Sequence, residues 1–267
     1  MSASRARREP TLQRPGTPPA IELVDVRKAF GPTPIIRGVS LAIEVGTRQA
    51  LIGPNGAGKS TLFNLITGKY PVSGGRIRLK GEDVTGRRPY EINRRGLSRS
   101  FQVTNIFPWL SVFENVRCSV LWSLGYRYSF WHWVDAAREV RERAETVLEQ
   151  LNLAARRHVP AGLLSYAEQR ALEIGITIAG GADVILLDEP TSGMSRSETE
   201  QVVQLIRQVT AGKTLLMVEH DMSVVFDLAD RIAVLVYGEV IAHDTPARIR
   251  ASVAVQEAYL GVSKGAG

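Results

Sequence analysis

Residues 53–61 read Gly53-Pro54-Asn55-Gly56-Ala57-Gly58-Lys59-Ser60-Thr61, which matches the pattern G-x-x-x-x-G-K-[S/T]. The apolar run Arg48–Gly53 predicts a buried strand before the pattern, and the residues from Thr61 to Thr67 predict a helix after it. Strand, glycine-rich loop and helix in this order are the context that the pattern requires. The segment, called the P-loop below, therefore predicts an α/β fold with a mainly parallel core sheet.

The residue types of the P-loop suit phosphate groups. Glycines at 56 and 58 let the backbone curl, so that successive N–H groups and the helix N-terminus point at one anion. The ammonium of Lys59 would contact the β- and γ-phosphates of a nucleotide, and the hydroxyl of Ser60 would bind Mg²⁺. The P-loop predicts a nucleoside-triphosphate site, and it leaves kinases, GTPases and motor proteins open.

A second motif consists of two acidic residues after an apolar run. Val184–Asp188 predicts a buried strand, and Glu189 and Pro190 follow it directly. Asp188 is placed to hold the magnesium shell, and Glu189 to polarise an attacking water as a general base. Two carboxylates at the end of a buried strand are costly without a cation, which favours a catalytic role over a simple strand-to-turn transition.

The rest of the chain alternates predicted strands and helices. Further strands are expected at Ile21–Val26, Thr214–Glu219 and Arg231–Val236. Asp135 is expected to cap a helix that buries Val140, Ala144, Val147, Leu148 and Leu151, and Ser195 with Glu198 forms a capping box for another helix. This alternation predicts ligand binding at the carboxyl ends of the strands.

Length and composition exclude several classes of protein. The chain has 267 residues, 44% of them hydrophobic and 22% charged, which argues against disorder, collagen and coiled coil. The apolar runs are shorter than the roughly 18–20 residues of a membrane-spanning helix. The one cysteine, Cys118, excludes an internal disulfide and a multi-cysteine zinc site.

Half of the net charge of +6 lies in residues 1–20, which contain four arginines and one acidic residue, Glu9. The same segment contains four prolines. This segment has little to bury and is expected to be a disordered tail. An organellar presequence or a contact with lipid head groups are alternatives. Nucleic-acid binding is not expected, because no known binding module accompanies the basic total.

At the segment Leu163-Leu164-Ser165-Tyr166-Ala167-Glu168-Gln169-Arg170, called the signature segment below, the chain resembles the ABC-transporter ATPases. Three other residues match further landmarks of that family in the right order: Phe30, Gln102 and His220. The resemblance implies an ABC-type P-loop NTPase fold, with an antiparallel β part at the N-terminus and an inserted helical subdomain. It implies ATP and Mg²⁺ as cofactors, an ATPase domain over 21–261, a helical subdomain over about 104–168 and a flexible end at 262–267.

Segments at 92–102, 106–116, 189–194, 218–222 and 258–261 are similar to the ATPase subunits of branched-chain amino-acid importers. Relatives serve urea or amide uptake, and a more distant one drives lipopolysaccharide export. The resemblance implies a second ATPase subunit, two membrane-spanning permease subunits and, indirectly, a periplasmic binding protein. It places the chain at the cytoplasmic face of a bacterial inner membrane.

The resemblance also assigns roles to single residues. Lys59, Glu189 and His220 are expected to be catalytic, and Ser60, Gln102 and Asp188 to hold Mg²⁺. Phe30 is expected to stack on adenine, and Ser165, Ala167 and Glu168 to contact the ATP bound by the opposite subunit. Each has a plainer alternative: Phe30 as a core residue, Gln102 as a polar loop residue, His220 as a structural histidine and Ser165 as a helix cap.

Two residues depart from the family pattern. Ala167 replaces the second glycine of the signature, where a methyl group would crowd the phosphate or oppose a positive φ. Ser195 stands where an Asp or Asn is usual. Both positions act across the dimer interface, so in a heterodimer the site that borrows this signature is expected to be the weaker one.

Residues 101–133 hold ten of the eighteen aromatic residues. Trp122, Tyr126, Phe130 and Trp133 are spaced for one helix face, which predicts either internal packing or a docking surface for a permease helix. Two other classes of function remain as alternatives: a soluble ABC-type ATPase acting on ribosomes or DNA, and a nucleotide-binding regulator without catalysis.

Overall fold

The computed structural model describes residues 16–100, 106–123 and 133–263. The strands are β1 (Ile21–Phe30), β2 (Thr33–Ile43), β3 (Arg48–Ile52), β4 (Gly74–Leu79), β5 (Glu82–Asp83), β6 (Leu97–Arg99), β7 (Val184–Asp188), β8 (Thr214–Val218), β9 (Arg231–Val236) and β10 (Glu239–Asp244). The helices are α1 (Lys59–Ile66), α2 (Pro89–Arg94), α3 (Val112–Ser123), α4 (Trp133–Gln150), α5 (Tyr166–Ala179), α6 (Arg196–Val209), α7 (Met222–Leu228), α8 (Pro246–Ala251) and α9 (Val253–Ser263). Short 3₁₀ turns lie at Ala154–Arg156 and Ala161–Leu163.

A six-stranded sheet forms the core, in the order β10-β9-β3-β8-β7-β6. Its pairings are parallel except for the antiparallel β10–β9 pair, which confirms the mainly parallel core sheet. Strands β7 and β9 have the predicted bounds, whereas β3 and β8 each end one residue earlier than predicted. Every residue of β7 and β8 is buried, which explains why these strands appear in the sequence as unbroken apolar runs.

A second, antiparallel sheet has the order β2-β1-β4-β5 and confirms the expected N-terminal β part. Strand β1 continues to Phe30, four residues past the predicted end at Val26. The pairing of β1 shifts register near Asp25, which has φ of 47°. This bulge breaks the apolar–polar alternation, so the sequence pattern stops before the strand does.

Two apolar clusters fill the interior. In one, residues of α1 such as Phe63 pack with both sheets. In the other, α3, α4 and α5 pack together and against α6, and the five residues predicted to be buried from Val140 to Leu151 are all part of it. The predicted cap at Asp135 is wrong, because α4 begins at Trp133. Asp135 lies instead inside α4.

The predicted limits of the ATPase domain and of its helical part stay predictions. Helix α9 extends through 262 and 263, which belong to the segment expected to be flexible. Residues 1–15 of the predicted tail lie outside the described residues. Within the described part of the chain, no helix combines the length and the apolar character needed to cross a membrane.

Candidate active site

The P-loop joins β3 to α1. Gly56 and Gly58 have φ of 78° and 101°, a backbone conformation that side-chain-bearing residues rarely adopt, so both predicted glycine positions are confirmed as turn-forming. Within the loop, Gly53, Ala57 and Lys59 are buried, Pro54, Gly58 and Thr61 are half-buried, and Asn55, Gly56 and Ser60 are exposed. The exposed and half-buried members give a ligand access to the backbone N–H groups at the start of α1.

Lys59 is the first residue of α1, and its side chain lies over the P-loop. Its Nζ donates to the carbonyl oxygens of Gly53, at 2.7 Å, and Pro54, at 3.0 Å. Burial lowers the pKa of Lys59 below its usual value, while the carboxylates of Glu189 and Asp188 act in the opposite direction. The two acidic residues of the second motif are therefore close enough to act electrostatically on the P-loop lysine.

Topology explains why these segments meet. Strands β3, β8, β7 and β6 are neighbours and run parallel, so their carboxyl ends lie at one edge of the sheet. The P-loop follows β3, Glu189 follows β7, and Glu219 and His220 follow β8. This edge is where ligands bind in open parallel sheets.

Glu189 and His220 form a pair at this edge. Nε2 of His220 lies 2.7 Å from Oε1 of Glu189, and their side chains are 46% and 20% exposed. Glu189 has φ of 47°, an uncommon value for a residue with a side chain and one that concentrates at functional sites. The geometry joins two residues that lie 31 positions apart and leaves both accessible to a ligand.

Three residues near the site were missed by the sequence analysis. Arg99, at the end of β6, forms an ion pair with the buried Asp188. Glu219 is 3% exposed; its Oε1 accepts from the backbone N–H of Thr191, and its Oε2 accepts from that of His220. Arg170 donates to backbone carbonyls behind the site. Glu219 could have been suspected, because it ends the predicted strand Thr214–Glu219 as Asp188 ends β7. Arg99 and Arg170 lie in segments that the sequence analysis quoted, but no pattern there gave either residue a role.

Within the signature segment, Ser165 is the N-cap residue of α5. The Ser165 side chain accepts from the N–H of Glu168, and the Glu168 carboxylate accepts from the N–H of Ser165, which forms a capping box. These hydrogen bonds lower the pKa of Glu168, chiefly through the backbone N–H of Ser165. The alternative role of Ser165 as a helix cap is confirmed, and its exposed side chain is also free to face a ligand.

The expected backbone conflict at Ala167 is wrong. Ala167 is the second residue of α5 and is absent from the residues with positive φ, so a methyl group fits its conformation. Ser195 caps α6 in a second capping box, with Glu198, as predicted. The departure at Ala167 therefore carries no backbone strain, and only crowding of a ligand remains as a possible consequence.

Arg170 connects α5 to the segment after β7. Its side chain is 8% exposed and forms an ion pair of 2.8 Å with Glu173. Its guanidinium also donates to the carbonyl oxygens of Asp188, Glu189 and Pro190, at 2.9, 2.8 and 3.2 Å. The strained turn at Glu189 is thus held by the same helix that the signature segment begins.

We expect Arg170→Met to lower the free energy of unfolding by about 3–5 kcal/mol, because it removes the cation from a buried pair and the donor from three carbonyls. Chemical denaturation measures this loss. The matched control is Arg157→Met, whose pair with Glu145 is partly exposed and is worth at most about 1 kcal/mol. Equal losses in the two variants would contradict the structural role of Arg170.

The roles of the remaining predicted site residues stay predictions. Phe30 is 45% exposed at the end of β1, with the Tyr70 ring edge-on at 5.5 Å and the Lys28 ammonium 4.8 Å from its centroid. Its exposure leaves a face available to a base, and the stacking role stays a prediction. Gln102 lies outside the described residues. Tyr126 and Phe130 do also, while Trp122 and Trp133 lie in α3 and α4, so the predicted aromatic face stays a prediction.

A cleft of about 470 Å³ opens beside the site. Its walls come from α2, β6, α3 and α5 and include Tyr90, Asn93, Ser119, Glu173 and Thr177. The loop 106–111, which directly precedes α3, is held by the buried Asn115. The side-chain amide of Asn115 forms hydrogen bonds with the backbone of Phe107 and Leu110. Trp109 of this loop is 91% exposed. The cleft is open to a ligand, and the exposed Trp109 is the kind of aromatic side chain that anchors protein interfaces.

Comparison with known proteins agrees with this geometry. The family model described as "ABC transporter" matches residues 36–192, and the model described as "Branched-chain amino acid ATP-binding cassette transporter" matches residues 239–264. The chain is 35% identical over 250 residues to the high-affinity branched-chain amino acid transport ATP-binding protein BraF of Pseudomonas aeruginosa, covering 91% of this chain and 98% of that protein.

Two solved structures are similar to the chain. One is an ATP-binding cassette of an ABC transporter in its ADP conformation, with a TM-score of 0.79 and 29% identity over 91% of this chain and 98% of that one. The other is a dimeric post-hydrolysis state of an ATP-binding cassette bound to ADP and phosphate, with a TM-score of 0.72 and 26% identity over 85% of this chain and 98% of that one.

Proposed function

Because the chain belongs to the family of ABC-transporter ATP-binding subunits, we propose that it binds and hydrolyses ATP to drive an importer of branched-chain or related amino acids. The single observation that carries this function is the Glu189–His220 pair beside the P-loop lysine. It places a carboxylate base and a hydrogen-bonding partner next to a phosphate-binding loop. The match of residues 239–264 to the branched-chain model favours this solute class over urea or amides.

The residues divide the work of hydrolysis. The P-loop backbone and Lys59 bind the β- and γ-phosphates and stabilise the charge that develops on them. Glu189 would orient and polarise the attacking water, and His220, which contacts the Glu189 carboxylate, would hydrogen-bond the γ-phosphate. Thr191 and Glu219 tie the backbone on both sides of this pair together, which limits its movement.

Mg²⁺ fits the residues at this edge. Asp188 has a buried Oδ1 without a hydrogen-bond partner in the described part of the chain, and Ser60 presents an exposed hydroxyl at the start of α1. Oxygen ligands of this kind, few in number and completed by phosphates, are typical of Mg²⁺ sites for nucleotides. The bound ion would neutralise charge on the β- and γ-phosphates. Asp188 and Ser60 are the residues proposed to hold it, with Gln102 as a third ligand.

The exposed signature segment is proposed to contact the ATP of a second ATPase subunit. Ser165 is exposed at the N-terminus of α5, where its hydroxyl and the adjacent N–H groups suit a phosphate. A similar cassette is dimeric with bound ADP and phosphate. If the partner is a paralogue, the site that borrows Ala167 is proposed to be the weaker one, since the extra methyl group narrows the approach to the phosphate.

Two variants separate the capping role of Ser165 from this contact. Ser165→Asp keeps a good helix cap but adds a negative charge where the phosphate is proposed to bind. Ser165→Ala removes the cap, which should lower the free energy of unfolding by about 1 kcal/mol. We expect both to lower the ATPase activity of the assembled transporter, while ATP binding by the isolated chain is unchanged. Retained activity in Ser165→Asp, with a loss only in Ser165→Ala, would show that Ser165 acts as a cap alone.

The cleft and the loop 106–111 are proposed to receive permease subunits. Polar residues such as Asn93 and Glu173 line the cleft, and Trp109 of the loop offers a large exposed apolar anchor. Such a contact would place the chain at the cytoplasmic face of the inner membrane, bound to membrane proteins, with a periplasmic binding protein delivering the solute.

The test is uptake of labelled leucine, isoleucine and valine by cells that lack this chain. The proposed function predicts that the wild-type chain restores uptake and that Glu189→Gln does not. Restored uptake of urea or of an amide in place of these amino acids would reassign the solute. ATP hydrolysis by the purified chain without any effect on solute uptake would favour a soluble ATPase instead.

A further inference from the structure

Arg99 lies at the end of β6 and has no part in the P-loop, the acidic motif or the signature segment. We propose that Arg99 is a positioning residue, which holds Asp188 by one carboxylate oxygen and so keeps the other for the magnesium-bound nucleotide. Because this role depends on the ATP-hydrolysing function proposed above, its test must separate loss of metal dependence from loss of nucleotide binding.

The contact between the two residues is direct and buried. Nη2 of Arg99 lies 2.7 Å from Oδ2 of Asp188, and the two side chains are 9% and 1% exposed. The other oxygen, Oδ1, is buried and has no hydrogen-bond partner among the described residues. The carboxylate is therefore fixed on one side only, and its second oxygen keeps its capacity to bind a cation or a water.

Arg99 also binds the helix that follows the P-loop. Its Nη1 donates to Oδ1 of Asn64 at 2.7 Å and lies 3.4 Å from Oγ1 of Thr67. The guanidinium carbon lies 5.5 Å from the ring centroid of Phe63. One planar side chain thus links α1 to the end of β7. This fixes the distance between the phosphate-binding helix and the acidic residue across it.

The shape of the guanidinium matters for this link. Its two terminal nitrogens point to different partners, one on Asp188 and one on Asn64. A lysine carries the same charge but has a single ammonium on a flexible stem, so it cannot span both partners in a fixed geometry. Arg99→Lys should therefore keep the charge next to Asp188 and lose the fixed spacing.

The experiment measures ATP binding by the full-length purified chain, by calorimetry, with Mg²⁺ and with EDTA. In the wild type, we expect Mg²⁺ to strengthen ATP binding. Outer-shell residues are worth about 10- to 100-fold in metal affinity, so Arg99→Gln should reduce the Mg²⁺-dependent gain about tenfold or more. The ATP affinity of Arg99→Gln in EDTA should stay close to that of the wild type. The Mg²⁺-dependent gain of Arg99→Lys should lie between the gains of the wild type and Arg99→Gln.

The control is Arg157→Gln, which breaks a partly buried ion pair with Glu145 elsewhere in the chain. It should leave the Mg²⁺-dependent gain unchanged. A double variant gives the second readout: if Arg99 acts through Asp188, adding Arg99→Gln to Asp188→Asn should cause no further loss of metal dependence.

Three results would overturn the role of Arg99. They are an unchanged Mg²⁺-dependent gain in Arg99→Gln, an equal loss with Mg²⁺ and with EDTA, and fully additive losses in the double variant. An equal loss would mean that Arg99 is only a structural ion pair. Absence of ATP binding in the wild-type chain would instead contradict the proposed function.

Discussion

Glu189→Gln should abolish nearly all ATP hydrolysis while leaving ATP binding intact. The amide keeps the size of the side chain and its place beside Nε2 of His220, which lies 2.7 Å from Oε1 in the wild type. It cannot accept a proton from the attacking water. Loss of a general base typically costs about 10²–10⁴ in rate, so steady-state hydrolysis at saturating ATP should fall by that factor.

The matched control is Glu200→Gln, an exposed glutamate of α6 in an i,i+4 pair with Arg196. Its rate should equal that of the wild type. A calorimetric measurement of ATP affinity completes the comparison, because the Glu189 variant should bind ATP with wild-type affinity. Hydrolysis within a few-fold of wild type in Glu189→Gln would mean that another group serves as the base.

Lys59→Ala should remove both ATP binding and hydrolysis. The Lys59 side chain is largely buried against the P-loop, and its ammonium is the group that we propose to contact the phosphates. Its loss leaves the β- and γ-phosphates with backbone N–H groups alone. Loss of one charge-stabilising group of this kind typically costs about 10²–10³ in rate, and we expect the ATP affinity to fall as well.

Lys213→Ala is the matched control for this variant. Lys213 also donates to a backbone carbonyl, that of Ala182, at 2.7 Å. It precedes β8, so it lies at the amino end of the parallel strands, opposite the candidate site. Its removal should leave ATP affinity and hydrolysis unchanged. Equal effects of the two substitutions would show that loss of a lysine–carbonyl contact, rather than loss of a phosphate ligand, explains the result.

Much of the site could be predicted from the sequence because its parts are contiguous. The P-loop carries its glycines, lysine and hydroxyl within nine residues, and Asp188 and Glu189 directly follow a buried strand. Residues that are adjacent in the sequence stay close together in the structure, so a local pattern is enough to predict that they form one site. The parallel order of β3, β8, β7 and β6 then brings the predicted residues to one edge.

Arg99 and Arg170 could not be predicted in the same way. Arg99 meets Asp188 across 89 positions, and Arg170 meets the carbonyl of Asp188 across 18. These contacts depend on the pairing of β6 with β7 and on the packing of α5, which local patterns do not encode. A sequence rich in arginine also gives no signal that distinguishes a buried arginine from an exposed one.

The errors in the fold have local causes. The early predicted end of β1 reflects the bulge near Asp25. The start of α4 was misplaced because aspartate is a common helix cap, whereas Asp135 lies inside the helix. The backbone conflict expected at Ala167 assumed a loop conformation where the structure has a helix. In each case, the residue type was compatible with a backbone conformation other than the one predicted.

ATP-driven solute uptake by the purified complex is the decisive measurement of whether this chain energises an importer. The tagged chain would be isolated from detergent-solubilised membranes with its bound subunits and reconstituted into vesicles with the solute-binding protein. We expect labelled branched-chain amino acids to accumulate across the membrane only when ATP is supplied on the side of this chain, and we expect Glu189→Gln to abolish the accumulation. ATP hydrolysis at the wild-type rate without accumulation of any such solute, or equal accumulation with Glu189→Gln, would contradict this expectation.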